Sequence, residues 1–187
     1  MAWMRVDPTN VDAKAEQPGA FSLQRRLTPA RGPLTKRTAA SIINRLLYLV
    51  GEAPRQPIPM EVNSTSGAMA EVLGIVRVMD RISCPVATFC RGEVRGAAVL
   101  IAAHGLKGFR VAAPDCRFSF ATTSGPADKE ALAAALTALP LKPGANAQPE
   151  FLRWLATGED FSPDQALLVG LIDLVSPKPV FPTAQAG

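Results

Sequence analysis

The apolar positions of the chain fall into short runs of two different periods that alternate along its length. Ile42, Ile43, Leu46, Leu47, Leu49 and Val50 recur at i, i+3, i+4 and i+7 and predict an amphipathic helix with Gly51 as its stop. Leu46 and Leu47 are both expected on its core or subunit-facing side. Ile58–Val62 predicts a short strand, and Asn63-Ser64-Thr65-Ser66-Gly67 after it has the composition of a turn. Met69, Val72, Leu73, Val76 and Met79 give a second helix. Val86–Cys90 predicts a strand and Gly92–Gly105 a helix of small apolar residues. Phe109–Ala112 and Arg117–Ala121 predict two more strands around Pro114-Asp115. Leu132, Leu136 and Leu139 mark a further helix, and Phe151, Leu152 and Leu155 another. The last helix is clearly punctuated: Ser162 as N-cap, Pro163 in the first position, Gln165 closing a capping box and Gly170 beyond the end. Leu171–Val175 is the final predicted strand. Strand–turn–helix units in this order need crossover connections, which is how parallel strands are joined. The class is therefore α/β with a mostly parallel sheet.

At both ends the pattern lapses. Residues 1–24, with Pro8, Pro18 and Gly19, show no sustained period and read as a flexible N-terminal arm. Residues 176–187, with Pro177, Pro179 and Pro182, read as a Pro-rich C-terminal tail. One domain, 25–175, lies between them.

Composition narrows the classes. A chain of 187 residues that is 48% hydrophobic can bury a substantial core and is not disordered throughout, and 19% charged residues is too few for a coiled coil. No apolar run approaches the roughly 20 residues of a membrane span, and the first residues lack the apolar stretch of a secretory signal. Cys84, Cys90 and Cys116 are odd in number and sit in apolar company, so no disulfide framework is implied. A cytoplasmic, reducing location without membrane contact is expected. The net charge of +4 is unevenly placed: Arg25, Arg26, Arg31, Lys36, Arg37 and Arg45 have no acid among them. No aromatics interleave there, so a solvated or subunit-facing basic edge is expected rather than a nucleic-acid interface. His104 is the single histidine. No histidine-based metal site can form within one chain, and no metal or cofactor is expected.

From about Gly32 to Val175 the chain resembles the proteolytic subunit of the Clp protease, within the wider ClpP/crotonase fold. Gly32-Pro33-Leu34 resembles the family's Gly-Pro-Ile opening, and Ser41 to Leu49 its first helix. Asn63-Ser64-Thr65-Ser66-Gly67 stands where the family has Asn-Ser-Pro-Gly-Gly. Gly92-Glu93-Val94-Arg95-Gly96-Ala97-Ala98-Val99-Leu100 stands where it has Gly-Gln-Ala-Ala-Ser-Met-Gly-Ala-Val. Lys107-Gly108-x-Arg110, Pro114-x-x-Arg117 and the closing segment from Ser162 to Asp173 follow in the same order with nearly ungapped spacing. The resemblance implies repeated β-β-α and βα units, and assembly into seven-membered rings stacked in pairs through a helix-and-strand handle. It also implies work alongside an AAA+ unfoldase, although the N-terminal arm lacks an obvious counterpart of the family's axial-loop motif. The handle region, from Ala121 to Ser162, is shorter than the family's. It contains Pro126, Pro140, Pro143, Gly144 and Pro149, so one continuous handle helix is not expected through 140–149.

Carried across residue by residue, the resemblance gives a negative. The nucleophilic serine position is Gly96, the general-base position is Ala121, and the orienting aspartate falls near Gly158, beside Glu159 and Asp160. Serine attacks only when a held base removes its proton, and these positions supply neither. Backbone N–H groups at Gly67 and Ala97 match the oxyanion site, which would survive as a vestige. The implied protein is a catalytically degenerate member, similar to the non-catalytic ClpR-type subunits. It is expected to self-associate into rings or smaller homo-oligomers, with a catalytic Clp subunit or an AAA+ unfoldase as partner.

Two other readings remain. A ClpP-fold peptidase with a relocated nucleophile would use Ser64 or Ser66 with a desolvated lysine, but those serines are expected to bond local backbone. Cys116 beside Arg117 would be an activated thiol, whereas Cys84 and Cys90 are expected to be small core residues. A crotonase-like acyl-CoA enzyme would use the Gly96-Ala97 helix start, with Glu93 or Asp115 as base. Glu93 and Arg95 are otherwise expected to form an ion pair filling a dead site, or a subunit contact.

Overall fold

The computed structural model describes residues 4–5, 25–121, 125–139 and 147–183. In chain order its elements are β1 (Met4–Arg5), β2 (Thr28–Leu34), α1 (Lys36–Glu52), β3 (Ile58–Gly67), α2 (Met69–Arg81), β4 (Val86–Arg95), α3 (Ala98–Ala103), β5 (Arg110–Ala112), β6 (Arg117–Ser119), α4 (Gly125–Thr137), α5 (Ala147–Thr157), β7 (Asp160–Phe161), α6 (Pro163–Leu168), β8 (Leu174–Val175) and β9 (Pro182–Thr183). β2-β3-β4-β5-β8 run side by side and all pair parallel; β6 also pairs parallel with β4 and carries β7 antiparallel on its other edge. The α/β class with a mostly parallel sheet is as the sequence predicts.

β4 is the strand that organises the rest. Its first half, Thr88 to Cys90, pairs with β5, and its second half, Glu93 to Arg95, pairs with β6. Between the halves the register against β3 jumps from Val62↔Cys90 to Ser64↔Val94, so extra β4 residues bulge out around Gly92. Gly92 has φ +64°, and a Cβ there would meet the Asn63 amide at 3.1 Å. Any side chain there is strained by the backbone and crowded by that amide.

Alternation along the central strands gives the sheet two apolar faces. Val62, Cys90, Ala112 and Val175 stand in one cross-strand row and join the main core, with Ile42, Leu46 and Leu49 of α1, Val72, Ile75 and Val76 of α2 and all of α3. Glu61, Phe89, Val111 and Leu174 form the neighbouring row, which by the pleat points to the opposite face. There a smaller cluster of Ala87, Phe109, Val111 and Val180 forms, with Phe89, Leu106, Leu174 and Phe181 packed against it.

Several boundaries differ from the sequence-based expectation. α1 runs through Gly51 to Glu52, because the helix ends at Ala53, where its N–H bonds Leu49 O. Arg26, buried, donates to the carbonyls of Ala53, Gln56 and Pro57 just beyond that end. Leu46 is fully buried and Leu47 is 52% exposed, so of the two expected places, core or subunit-facing, the core takes Leu46 and not Leu47. Asn63–Gly67 is strand rather than turn, since pairing with Leu34 continues to Gly67. The Gly92–Gly105 helix shrinks to α3, because β6 pairs the residues up to Arg95 as strand. The last helix keeps its predicted start, with Ser162 Oγ accepting from Gln165 N and Gln165 Oε1 from Ser162 N.

Among its described residues the handle region holds two helices, α4 and α5, followed by β7. Pro126 and Pro149 lie in their first turns, where the missing N–H costs no helix bond, so neither interrupts a helix. The break expected at Pro140, Pro143 and Gly144 falls outside the described residues. α5 packs Trp154 flat on Phe161 (4.1 Å, 6°), with Phe151, Phe118 and Phe120 around them. Most of the N-terminal arm also lies outside the described residues, but Met4–Arg5 pairs antiparallel with Pro182–Thr183 of the tail. Val180 is 7% exposed, so the tail carries a packed segment.

Candidate functional site

The fork in β4 brings together the three positions that the sequence singles out. Gly96 follows directly on β4, and its N–H donates to Ser119 O at 2.7 Å, which ties it to the end of β6. Ala121 lies two residues beyond that carbonyl, and its N–H donates to Ser119 Oγ at 3.1 Å. Ser119 Oγ in turn donates to Gly158 O at 3.2 Å. A Cβ built on Gly158 would stand 3.4 Å from Ala121 Cα and 3.5 Å from its Cβ. Gly96, Ala121 and Gly158, far apart in sequence, thus converge on one buried residue, Ser119, Gly96 through its carbonyl and the other two through its hydroxyl. Among their side chains there is one methyl group, that of Ala121. Ser119 was not singled out in the sequence. Its signal would have been a polar residue two positions before the base position, inside an apolar strand.

Gly96 has φ +61° and Gly158 φ +68°. Both are left-handed backbone positions that favour glycine. Gly67 is closely packed as well: a Cβ there would meet Leu34 Cβ at 3.0 Å and Val72 Cγ2 at 3.2 Å. Ala97, 2% exposed, stands at the N-cap of α3 without a side-chain cap.

A charged row crosses the same strands. Arg95, Ser119 and Asp160 are cross-strand partners. Arg95 donates to both oxygens of Glu93 at 3.1 and 3.3 Å and lies 3.7 Å from Asp160. Glu93 holds the Arg95 guanidinium pKa above its ordinary value, chiefly through that hydrogen bond. The ion pair expected for Glu93 and Arg95 is formed, which leaves Glu93 committed to a cation rather than free as a base.

The other candidate residues are dispersed or inert. Ser64 is buried, and its hydroxyl lies 3.1 Å from Ser66 O, the local backbone bonding expected of it, and 2.8 Å from Gly32 O of the neighbouring strand β2, a non-local partner. Cys116 is not activated by Arg117. Burial first, and the charge of Asp115 second, push its thiol up to about 12, more than the Arg117 backbone N–H offsets. Burial also raises the Cys90 thiol, with Cys116 adding to it, and Cys84 Sγ donates to Ala53 O. His104 caps the far end of α3 from Gly96, with Nδ1 2.8 Å from Leu100 O. It lines a cavity of about 300 Å³ with Met79, Ile82 and Leu106 rather than facing the three converging positions. Among the described residues no group of three or more His, Cys, Asp or Glu side chains is placed to hold a metal ion, and no helix is long and apolar enough to cross a membrane.

The family model of the Clp protease matches residues 15–138. Over 99 residues the chain is 35% identical to the ATP-dependent Clp protease proteolytic subunit 1 of Rhodopirellula baltica, a match that covers 53% of this chain and 44% of that protein. The matched segment thus spans less than half the length of that relative. The fold superposes on the crystal structure of the ClpP protease catalytic domain from Plasmodium falciparum with a TM-score of 0.72 and 25% identity, over 90% of this chain and 95% of that one. A match through β2, both large helices, the forked β4 and on into α4 leaves one assignment: the chain belongs to the Clp protease family.

Proposed function

We propose that the chain is a proteolytically inactive Clp protease subunit homologue that serves as an oligomeric structural or regulatory subunit. The convergence of Gly96, Ala121 and Gly158 on Ser119 carries this reading. The three positions meet in space as a nucleophile, base and orienter would, yet they bring no hydroxyl, imidazole or carboxylate. Acyl transfer needs a nucleophile whose proton is taken by an oriented base. Backbone N–H groups alone can polarise a carbonyl but cannot attack it. The neighbouring Glu93–Arg95–Asp160 cluster is internally paired and offers no substitute.

Purified protein is expected to leave small fluorogenic peptides and casein uncut, alone or with an unfoldase, and to take no label from a mechanism-based serine-hydrolase probe. Gly96→Ser is expected to stay inactive, since the base is still missing and φ +61° strains a serine. Labelling of the native chain by the probe would overturn the reading and favour a relocated nucleophile.

Members of the family form homo-oligomeric rings and work with AAA+ unfoldases. For this chain the proposed partners are further copies of itself, in rings or smaller homo-oligomers, and a catalytic Clp subunit or AAA+ unfoldase. Leu47 (52% exposed) and Tyr48 (63% exposed) on α1 support self-association, because contact with another copy would bury them. The short, two-helix handle argues against stable ring stacking. Light scattering at micromolar concentration is expected to give a mass well above 19.8 kDa but below a particle of fourteen subunits. A strict monomer would refute the lateral contact, and a stable fourteen-subunit particle would show that the short handle still pairs rings. Three free, buried thiols suit the proposed cytoplasmic location.

A further inference from the structure

At the far end of α3 from Gly96, the cavity of about 300 Å³ lies between the end of α2 and the loop that follows α3. Met79, Ile82, Val86 and Leu106 give it apolar walls, Ser83 and His104 bring polar atoms, and no Lys, Arg, Asp or Glu side chain lines it. Cys84 lines it too, with its Sγ already bonded to Ala53 O. Both loops that form the cavity are pinned to the sheet. Ile58 N–H donates to Pro85 O at 2.8 Å, and Leu106 N–H donates to Val86 O at 2.6 Å. Thr88 Oγ1 donates to Ala102 O at 2.9 Å and holds the last turn of α3 on β4. The walls are therefore fixed by bonds within the chain, as those of a pre-formed ligand site are.

His104 sets what an occupant must bring. Its Nδ1 is 2.8 Å from Leu100 O, which can only accept, so Nδ1 carries the proton of the neutral ring. Nε2 is then a bare acceptor, and it has no hydrogen-bond partner among the described residues. We propose that this cavity is a binding site for a small neutral molecule with an apolar body and one hydroxyl, which donates to His104 Nε2. A charged ligand is disfavoured because no opposite charge lines the walls to offset its desolvation. A purely apolar ligand would cover the imidazole nitrogen and leave it unbonded. A single ring suits the size, since a cavity of about 150 Å³ is enough to enclose benzene. The site lies apart from Gly96, Ala121 and Gly158, so it stands whether or not the chain is proteolytically inactive.

The test titrates the full-length chain with para-fluorophenol and with fluorobenzene, followed by fluorine NMR and by backbone amide shifts. The phenol is expected to saturate with a Kd of about 1 mM, with the largest amide shifts at Ser83, His104 and Leu106. It is expected to bind about fivefold more tightly than fluorobenzene, the advantage of one hydrogen bond to an acceptor that otherwise has none. His104→Phe keeps a ring in the wall and removes the acceptor, so that variant is expected to bind the two ligands equally. Leu106→Trp fills the space and is expected to bind neither. No saturation by the phenol, equal affinities on the native chain, or largest shifts elsewhere would overturn the proposal. So would a folded His104→Phe chain that still prefers the phenol. Should that variant fail to fold, the comparison of the two ligands on the native chain decides alone.

Discussion

Asp173→Ala is expected to destabilise the fold by about 3–5 kcal/mol, because it leaves a buried guanidinium without its counter-charge. Arg110 and Asp173 are 4% and 7% exposed. Arg110 Nε and Nη2 donate to the two carboxylate oxygens at 2.9 and 2.7 Å, and Nη1 donates to Ala103 O at 3.0 Å. Asp173 also accepts from the Gly108 and Arg110 N–H groups at 2.7 and 3.2 Å. One carboxylate thus ties together the end of α3, the turn before β5 and the approach to β8. Burial works to raise its pKa. The Arg110 hydrogen bond and charge, with the two backbone donors, more than offset that and hold it below its ordinary value. A carboxylate depressed in the folded state stabilises the fold above its unfolded pKa of about 3.9 and loses that contribution as pH falls through the lower, folded value. The gap between native chain and variant in urea unfolding should therefore be full at pH 7 and shrink below about pH 4. A gap independent of pH would mean that the pair is not what stabilises this corner.

Trp154→Ala should cost a similar amount, about 3–5 kcal/mol, through the cavity it opens. The indole is 2% exposed, stacks on Phe161 and supports Phe151, and the Trp154 carbonyl accepts the Gly158 N–H at 2.8 Å. Its Nε1 has no hydrogen-bond partner among the described residues. Trp154→Phe keeps most of the ring stack and removes a buried unsatisfied donor, so its cost should be much smaller. Chemical denaturation followed by circular dichroism would compare the two variants directly. If Trp154→Phe were as damaging as Trp154→Ala, the indole N–H would have to be bonded after all.

Much of the architecture was legible in the sequence, and for identifiable reasons. Helices α1 and α2 carry a full apolar stripe, and α6 carries a Ser162–Gln165 box whose bonds are local to the chain. Period and capping depend on neighbours three or four residues away, which a sequence displays. The positions of Gly96, Ala121 and Gly158 were legible only through resemblance to a family, because glycine and alanine advertise no chemistry. Their meeting at Ser119 depends on β6 pairing with the second half of β4, a non-local register that no periodicity encodes.

The remaining differences have the same origin. Asn63 to Gly67 and Gly92 to Arg95 look like turn and helix start by composition, yet neighbouring strands recruit them into the sheet, since pairing satisfies their backbone groups better than a turn would. Leu47 keeps the helical spacing of a core residue but falls just off the buried arc of α1, a matter of a few tens of degrees of rotation set by packing against β2 and α2. The proline-rich tail reads as loose chain because proline rules out regular structure, not packing. The sequence by itself determined the α/β class and the order of the elements from α1 onward that carry a clear period, because those follow from local spacing, while the residues at the three family positions were read through the resemblance. Only the tertiary structure decided that the three positions meet, that Arg95 is tied up by Glu93, and that Val180 and Phe181 close the opposite sheet face. Those depend on which distant segments the parallel sheet sets side by side.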